Sequence, residues 1–175
     1  IQRLVNEYGW KVGDTLLYQQ TYDISENIKQ DYANLKNIRP DIVLKDMNNE
    51  VLAVIENNLD KENKDLLKLR TVVTHLLKPR FLYACSAERI LFYDNAWKGL
   101  DAGEFKQVTS FMSLEEMKLK IEQQKKISFV FKIWKILQNK RVLGQWKLVL
   151  VGQGEDAAGY QKLTKKMNLK KYSRD

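Results

Sequence analysis

Hydrophobic and polar positions fall in blocks along this chain, and the blocks predict an α/β order. Ile1, Leu4, Val5 and Tyr8 recur at helical spacing over residues 1–8, and Gly9 supplies a C-terminal stop. Residues 15–22 read as a strand, and an Asn/Lys/Asp-rich excursion runs on to about residue 38. Two β-branched runs follow, Asp41-Ile-Val-Leu and Val51-Leu-Ala-Val-Ile, with Asn48-Asn49 between them as the two positive-φ positions of a tight hairpin. Leu59, Leu66, Leu69 or Arg70, Val73 and Leu77 make the stripe of a helix near 60–77, which Pro79 ends. Residues 80–86 and 89–94 read as two strands around Ala87-Glu88. Ser113 and Glu116 have the spacing of a capping box that opens a helix to about residue 125.

The hairpin carries the candidate chemistry. A two-residue turn at Asn48-Asn49 pairs residues whose numbers sum to 97, which sets Asp41 opposite Glu56. Facing partners lie roughly 4.5–5.5 Å apart at Cβ. Two carboxylates that close repel unless a cation sits between them, and a hard divalent ion is the usual answer. Asn58 shares the face of Glu56 because strand side chains alternate with period two. Taken singly, an Asp after Pro is an ordinary turn acceptor, and a Glu ending a strand is an ordinary edge residue. Asn58 reads equally as a ligand or a strand-end residue. Their common register is what joins them.

This arrangement resembles the PD-(D/E)xK nuclease core, in which an Asp, a Glu and a Lys on a hairpin bind magnesium and activate water. The helix ending in Glu-Tyr-Gly-Trp, then Arg-Pro-Asp-Ile-Val-Leu, then Val-Leu-Ala-Val-Ile-Glu is similar to the N-terminal nuclease domain of type I restriction enzyme R (HsdR) subunits. The likeness continues through Lys-Pro-Arg-Phe-Leu-Tyr-Ala-Cys and Arg-Ile-Leu-Phe-Tyr-Asp to about Trp97. It implies Mg²⁺ on Asp41 and Glu56, DNA as substrate, and modification and specificity subunits as partners. ATP would enter only through a motor region that these residues do not contain, since no Walker-type glycine loop occurs. Asn58 stands where the family keeps its motif lysine, which polarises the attacking water and stabilises the charged phosphorane. A neutral amide carries no charge for that role. The Gln-x-x-x-Tyr pair of the family's next helix is also absent. Glu7 on the first helix is an accessory candidate, and Lys61 or Lys64 is a candidate stand-in for the lysine.

Charge and cysteine content sharpen the picture. The net charge is +8, but residues 1–125 hold 18 Lys/Arg against 19 Asp/Glu, while residues 126–175 hold 12 against 3. A phosphate track on the first part must therefore come from a local cluster, and Lys61, Lys64, Lys68 and Arg70 supply one; the same cluster reads equally as a solvated helix face. The single cysteine, Cys85, excludes an internal disulfide and, with the family precedent, points to the cytoplasm. His75, the only histidine, has no metal-ligand spacing around it and reads as a helix-end residue. No apolar run is long enough for a membrane span. The first residue is Ile, as expected for a fragment.

The sequence changes character after Lys126. An apolar helix from Phe129, a strand from Trp146 into Gly152-Gln-Gly154, and a helix from Gly159 resemble part of the C-terminal domain of GT-B glycosyltransferases over residues 129–170. The glycines alone are weak evidence of phosphate binding.

The expectation is an α/β fold in two parts. Residues 1–125 form a restriction-endonuclease-like mixed sheet flanked by helices, and 126–175 form a basic α-β-α appendage. The function expected from the resemblance is Mg²⁺-dependent DNA phosphodiester hydrolysis, with Asp41, Glu56 and Asn58 as the catalytic positions. The alternatives are a non-catalytic DNA-positioning or assembly domain of the same fold and, for the tail, a glycosyltransferase fragment.

Overall fold

The computed structural model describes residues 1–24, 37–57, 73–97, 105–140, 148, 160, 161 and 164. Helix α1 (Gln2–Tyr8) buries Leu4 and ends at Gly9, whose φ of 71° is left-handed. Trp10 N–H then donates to the Leu4 carbonyl at 3.2 Å, which closes the helix end. Strand β1 (Leu16–Tyr18) follows a turn in which Gly13 has φ 82° and the Thr15 hydroxyl accepts from Lys11 N–H.

The strand expected over 15–22 is shorter. At Gln19 the backbone turns left-handed, with φ 48°, and β1 stops. The chain then forms β2 (Tyr22–Asp23), which pairs antiparallel with β3 (Asn37–Ile38) as a separate two-stranded sheet. Strands β4 (Ile42–Lys45) and β5 (Val51–Glu56) make the expected hairpin. Helix α2 (Thr74–Leu77) contains His75 and ends at Lys78, just before Pro79. The remainder of the helix expected near 60–77 lies outside the described residues.

β6 (Phe81–Cys85) and β7 (Ile90–Asp94) match the two strands expected on either side of Ala87-Glu88. Their turn is held by the Ser86 hydroxyl, which accepts from the N–H groups of Glu88 and Arg89. A short 3₁₀ turn (Asn95–Trp97) and β8 (Lys106–Val108) follow. Among the described residues the main sheet has six strands, in the order β1-β4-β5-β6-β7-β8. Among the described strands only β5 and β6 run parallel, so the sheet is mixed and the fold is α/β.

Each face of this sheet has its own core. Val43, Val54, Leu82, Ala84 and Tyr93 pack with Ile24, Ile38 and Val73 on one face. The alternate positions carry Phe81, Tyr83 and Phe92, whose rings stack on one another, and Tyr83 meets Phe111 at 5.2 Å between ring centres. Full burial of side chains of this size stabilises by roughly 1.5–3 kcal/mol each.

Helix α3 (Leu114–Asn139) opens on the expected capping box. Ser113 N–H donates to Glu116 Oε2 at 2.7 Å, and Glu116 N–H donates to Ser113 Oγ at 3.2 Å. It corrects the expectation of one helix to about 125 and another from 129. No glycine or proline interrupts Gln123 to Phe129, so a single helix of 26 residues runs through residue 126.

The chain divides into two compact units, residues 1–96 with 104–117, and residues 97–103 with 118–175. In the second unit Phe131 is fully buried, and its ring lies 6.3 Å from that of Tyr160. Apart from Leu148, the strand expected from Trp146, with Gly152 and Gly154, falls outside the described residues, whereas Tyr160, Gln161 and Thr164 are helical. Among the described residues, no helix is long and apolar enough to cross a membrane.

Candidate functional site

The hairpin register decides what Asp41 faces. Ile42 pairs with Ile55, Val43 with Val54 and Leu44 with Ala53, so the next pair outward is Asp41 with Glu56. This is the expected register, reached through a different turn. Asn49 N–H donates to the Asp46 carbonyl, Asp46 N–H donates to the Glu50 carbonyl, and only Asn49 has positive φ, at 64°. The loop is thus three residues, Met47 to Asn49, which by itself would shift the pairing by one. Leu52 is an extra residue between the pairs Lys45–Val51 and Leu44–Ala53, and this bulge restores the register. Without the bulge, Glu56 would turn to the opposite face.

The Asp46 carboxylate organises this turn. Its Oδ1 accepts from the N–H groups of Asn48 and Glu50, both at 2.9 Å, and Asp46 is buried. The end of the sheet that carries Asp41 and Glu56 is therefore set by a polar device at the other end.

At the Asp41 end, Pro40 is buried and disfavours helical backbone at Arg39, and the chain enters β4 just after Asp41. Asp41 is half-buried. Its Oδ2 accepts from Asn57 N–H at 2.7 Å, and its carbonyl accepts from Gln19 N–H at 2.9 Å. Glu56 is half-buried, pairs with Ala84 of β6, and lies two residues beyond Val54 on the face of the aliphatic core. The two carboxylates thus stand at the C-terminal end of the parallel pair β5–β6, on the border of a packed core.

Two residues that the sequence did not single out complete this edge. Arg39 donates from Nε to the Gln19 carbonyl at 3.0 Å and from Nη2 to Gln19 Oε1 at 2.7 Å. Gln19 lies opposite Asp41 in the β1–β4 register. The only sequence signal for Arg39 is its place in Arg-Pro-Asp. Gln19 had none, because it lies 21 positions before Pro40.

The other candidates are placed as follows. Glu7 is exposed on α1, where Arg3 Nε binds it at 2.8 Å. Tyr8 of the same helix packs on Phe111, which meets Tyr83 on the sheet face opposite that of Glu56. Asn58, Lys61, Lys64, Lys68 and Arg70 lie outside the described residues. Among the described residues, no group of three or more His, Cys, Asp or Glu side chains converges. Cys85 is buried, and burial pushes its thiol up to about 12, which makes it a poor nucleophile.

No family model, no curated protein and no solved structure matches this chain.

Proposed function

We propose that this chain is a nuclease module of the PD-(D/E)xK kind, similar to the N-terminal domain of type I restriction R subunits, acting on DNA phosphodiesters with Mg²⁺. The observation that carries the reading is the pairing of Asp41 with Glu56 at the end of β5, directly after Pro40. Supporting it is the element order: helix, hairpin, helix end, parallel strand and a further strand, as the resemblance implies.

The donor set fits the ion. Both side chains offer hard oxygen ligands, and Mg²⁺ is commonly held by one or two carboxylates while it keeps several waters. Asp41 commits Oδ2 to Asn57 N–H, which leaves Oδ1 for the cation. When bound, Mg²⁺ supplies charge to neutralise the phosphate oxygens and acidifies a coordinated water. Asp41 and Glu56 would hold it, the Asn57 amide would fix the orientation of Asp41, and the core beside Glu56 would restrict solvent on one side. Asn58 brings no positive charge to the transition state.

The test is nicking of supercoiled DNA in Mg²⁺ or Mn²⁺. Glu56→Gln should abolish it. Asn58→Lys should raise it, because a lost transition-state donor of this kind costs roughly 10²–10³ in rate. If Asn58→Lys changes nothing while Lys61→Ala or Lys64→Ala abolishes nicking, one of those lysines fills the role. If the wild type binds the metal and Asn58→Lys still does not cut, the chain is a non-catalytic relative of the same fold.

A further inference from the structure

The edge that carries Asp41 also carries a cation held in place, and the nuclease reading leaves it without a task. Arg39 is exposed, yet its guanidinium is fastened at two points to one residue, through Nε to the Gln19 carbonyl and through Nη2 to Gln19 Oε1. An exposed arginine ordinarily loses rotamer freedom when it is fixed. Here the fastening residue is itself unusual, because Gln19 takes a left-handed backbone, with φ 48°, that L residues seldom adopt. The same Gln19 donates its N–H to the Asp41 carbonyl. Arg39, Gln19, Asp41 and Asn57 are thus one connected set that ends beside Glu56. Two of the five guanidinium N–H groups are used on Gln19, and among the described residues the other three have no partner.

We infer that Arg39 is a phosphate-binding residue of this site, a preoriented fork that seats a DNA backbone phosphate next to the Asp41–Glu56 pair. This rests on the nuclease reading and adds to it a source of positive charge that the neutral amide of Asn58 does not provide. A planar guanidinium matches two phosphate oxygens at once, and a fork already aligned by Gln19 loses less freedom on binding. Residues 1–125 carry nearly balanced charges, so one placed arginine matters more there than it would on a basic surface.

The test is binding of the full chain to a short fluorescent DNA duplex in Ca²⁺, across a salt series, alongside calorimetry of Mn²⁺ without DNA. Arg39→Ala should weaken DNA binding about ten-fold, the loss expected for a hydrogen bond to a charged group. It should also lower the slope of log K against log salt by about one, as removal of a phosphate contact does. Arg39→Lys should fall between, and Mn²⁺ binding should stay unchanged. Gln19→Ala should weaken DNA binding roughly two- to five-fold with the slope kept, because the charge remains while its alignment is lost. If Arg39→Ala melts early, Arg39→Gln carries the same test. Wild-type DNA binding and salt slope in Arg39→Ala, with Mn²⁺ still bound at Asp41, would overturn the role of Arg39 and leave the nuclease reading standing. Loss of the metal site itself, seen as equal Mn²⁺ binding in wild type and Asp41→Asn, would remove both.

Discussion

The backbone amide of Asn57 donates to Oδ2 of Asp41 at 2.7 Å, so a side chain at the start of β4 closes on the end of β5. The bond lies past the last ladder pair, Ile42 with Ile55, and fixes where the carboxylate rests. Asp41→Ala should cost about 0.5–1.5 kcal/mol in urea unfolding, the net value of one such bond. Asp41→Asn keeps an acceptor oxygen and should unfold close to wild type. The asparagine variant thereby separates the proposed metal binding from the fold.

A second carboxylate sets the register from the far end of the hairpin. Asp46 accepts two backbone N–H groups at 2.9 Å in a buried turn. Asp46→Ala leaves both donors short of a partner and should cost about 1–2 kcal/mol. Asn49→Gly should be neutral or slightly stabilising, since glycine accepts the φ of 64° without strain. Denaturant midpoints of the two variants check this.

The hairpin was legible in the sequence because its β-branched residues sit in two runs with a short polar break. The turn was only half legible. Two asparagines invite a two-residue turn, whereas the structure spends a third residue on the loop and recovers the register with the bulge at Leu52. Nothing in Leu52 itself announces a bulge. The left-handed turn at Gln19 was not legible, since glutamine carries no signal for positive φ, and so the break between β1 and β2 was missed. β8 escaped for a related reason: Lys106-Gln-Val108 is three residues with no alternation to detect. The capping box of Ser113 and Glu116 was readable because both halves of it lie within one helical turn.

Continuity of α3 through residue 126 has a direct test. Ser128→Pro removes an N–H from the middle of the helix and drives its ring against the carbonyl of Gln124, at a cost of about 3 kcal/mol or more. The variant should lose helical circular dichroism and melt early. If 114–125 and 129–139 were separate helices, a proline at 128 would sit in their joint and be tolerated.

The thiol of Cys85 is held protonated by burial, with its pKa pushed up to about 12 from 9.0. A thiol reagent at pH 8 should react only after urea unfolds the chain, and the single cysteine makes the count unambiguous. In the unfolded chain the thiol ionises first, so its contribution to stability is complete below about pH 9 and declines as pH rises towards 12. Burial also raises the Tyr22 hydroxyl, which works in the same direction. Fast labelling of the folded protein at pH 8 would contradict this.

Calorimetric titration of Mn²⁺ into wild type, Asp41→Asn and Glu56→Gln tests the Asp41–Glu56 pair most directly. Two half-buried carboxylates facing across the last position of a hairpin should bind one ion weakly, and either substitution should abolish the heat while unfolding in urea stays near that of the wild type. Equal binding in all three proteins, or none in the wild type, would contradict the assignment of this strand end as a metal site.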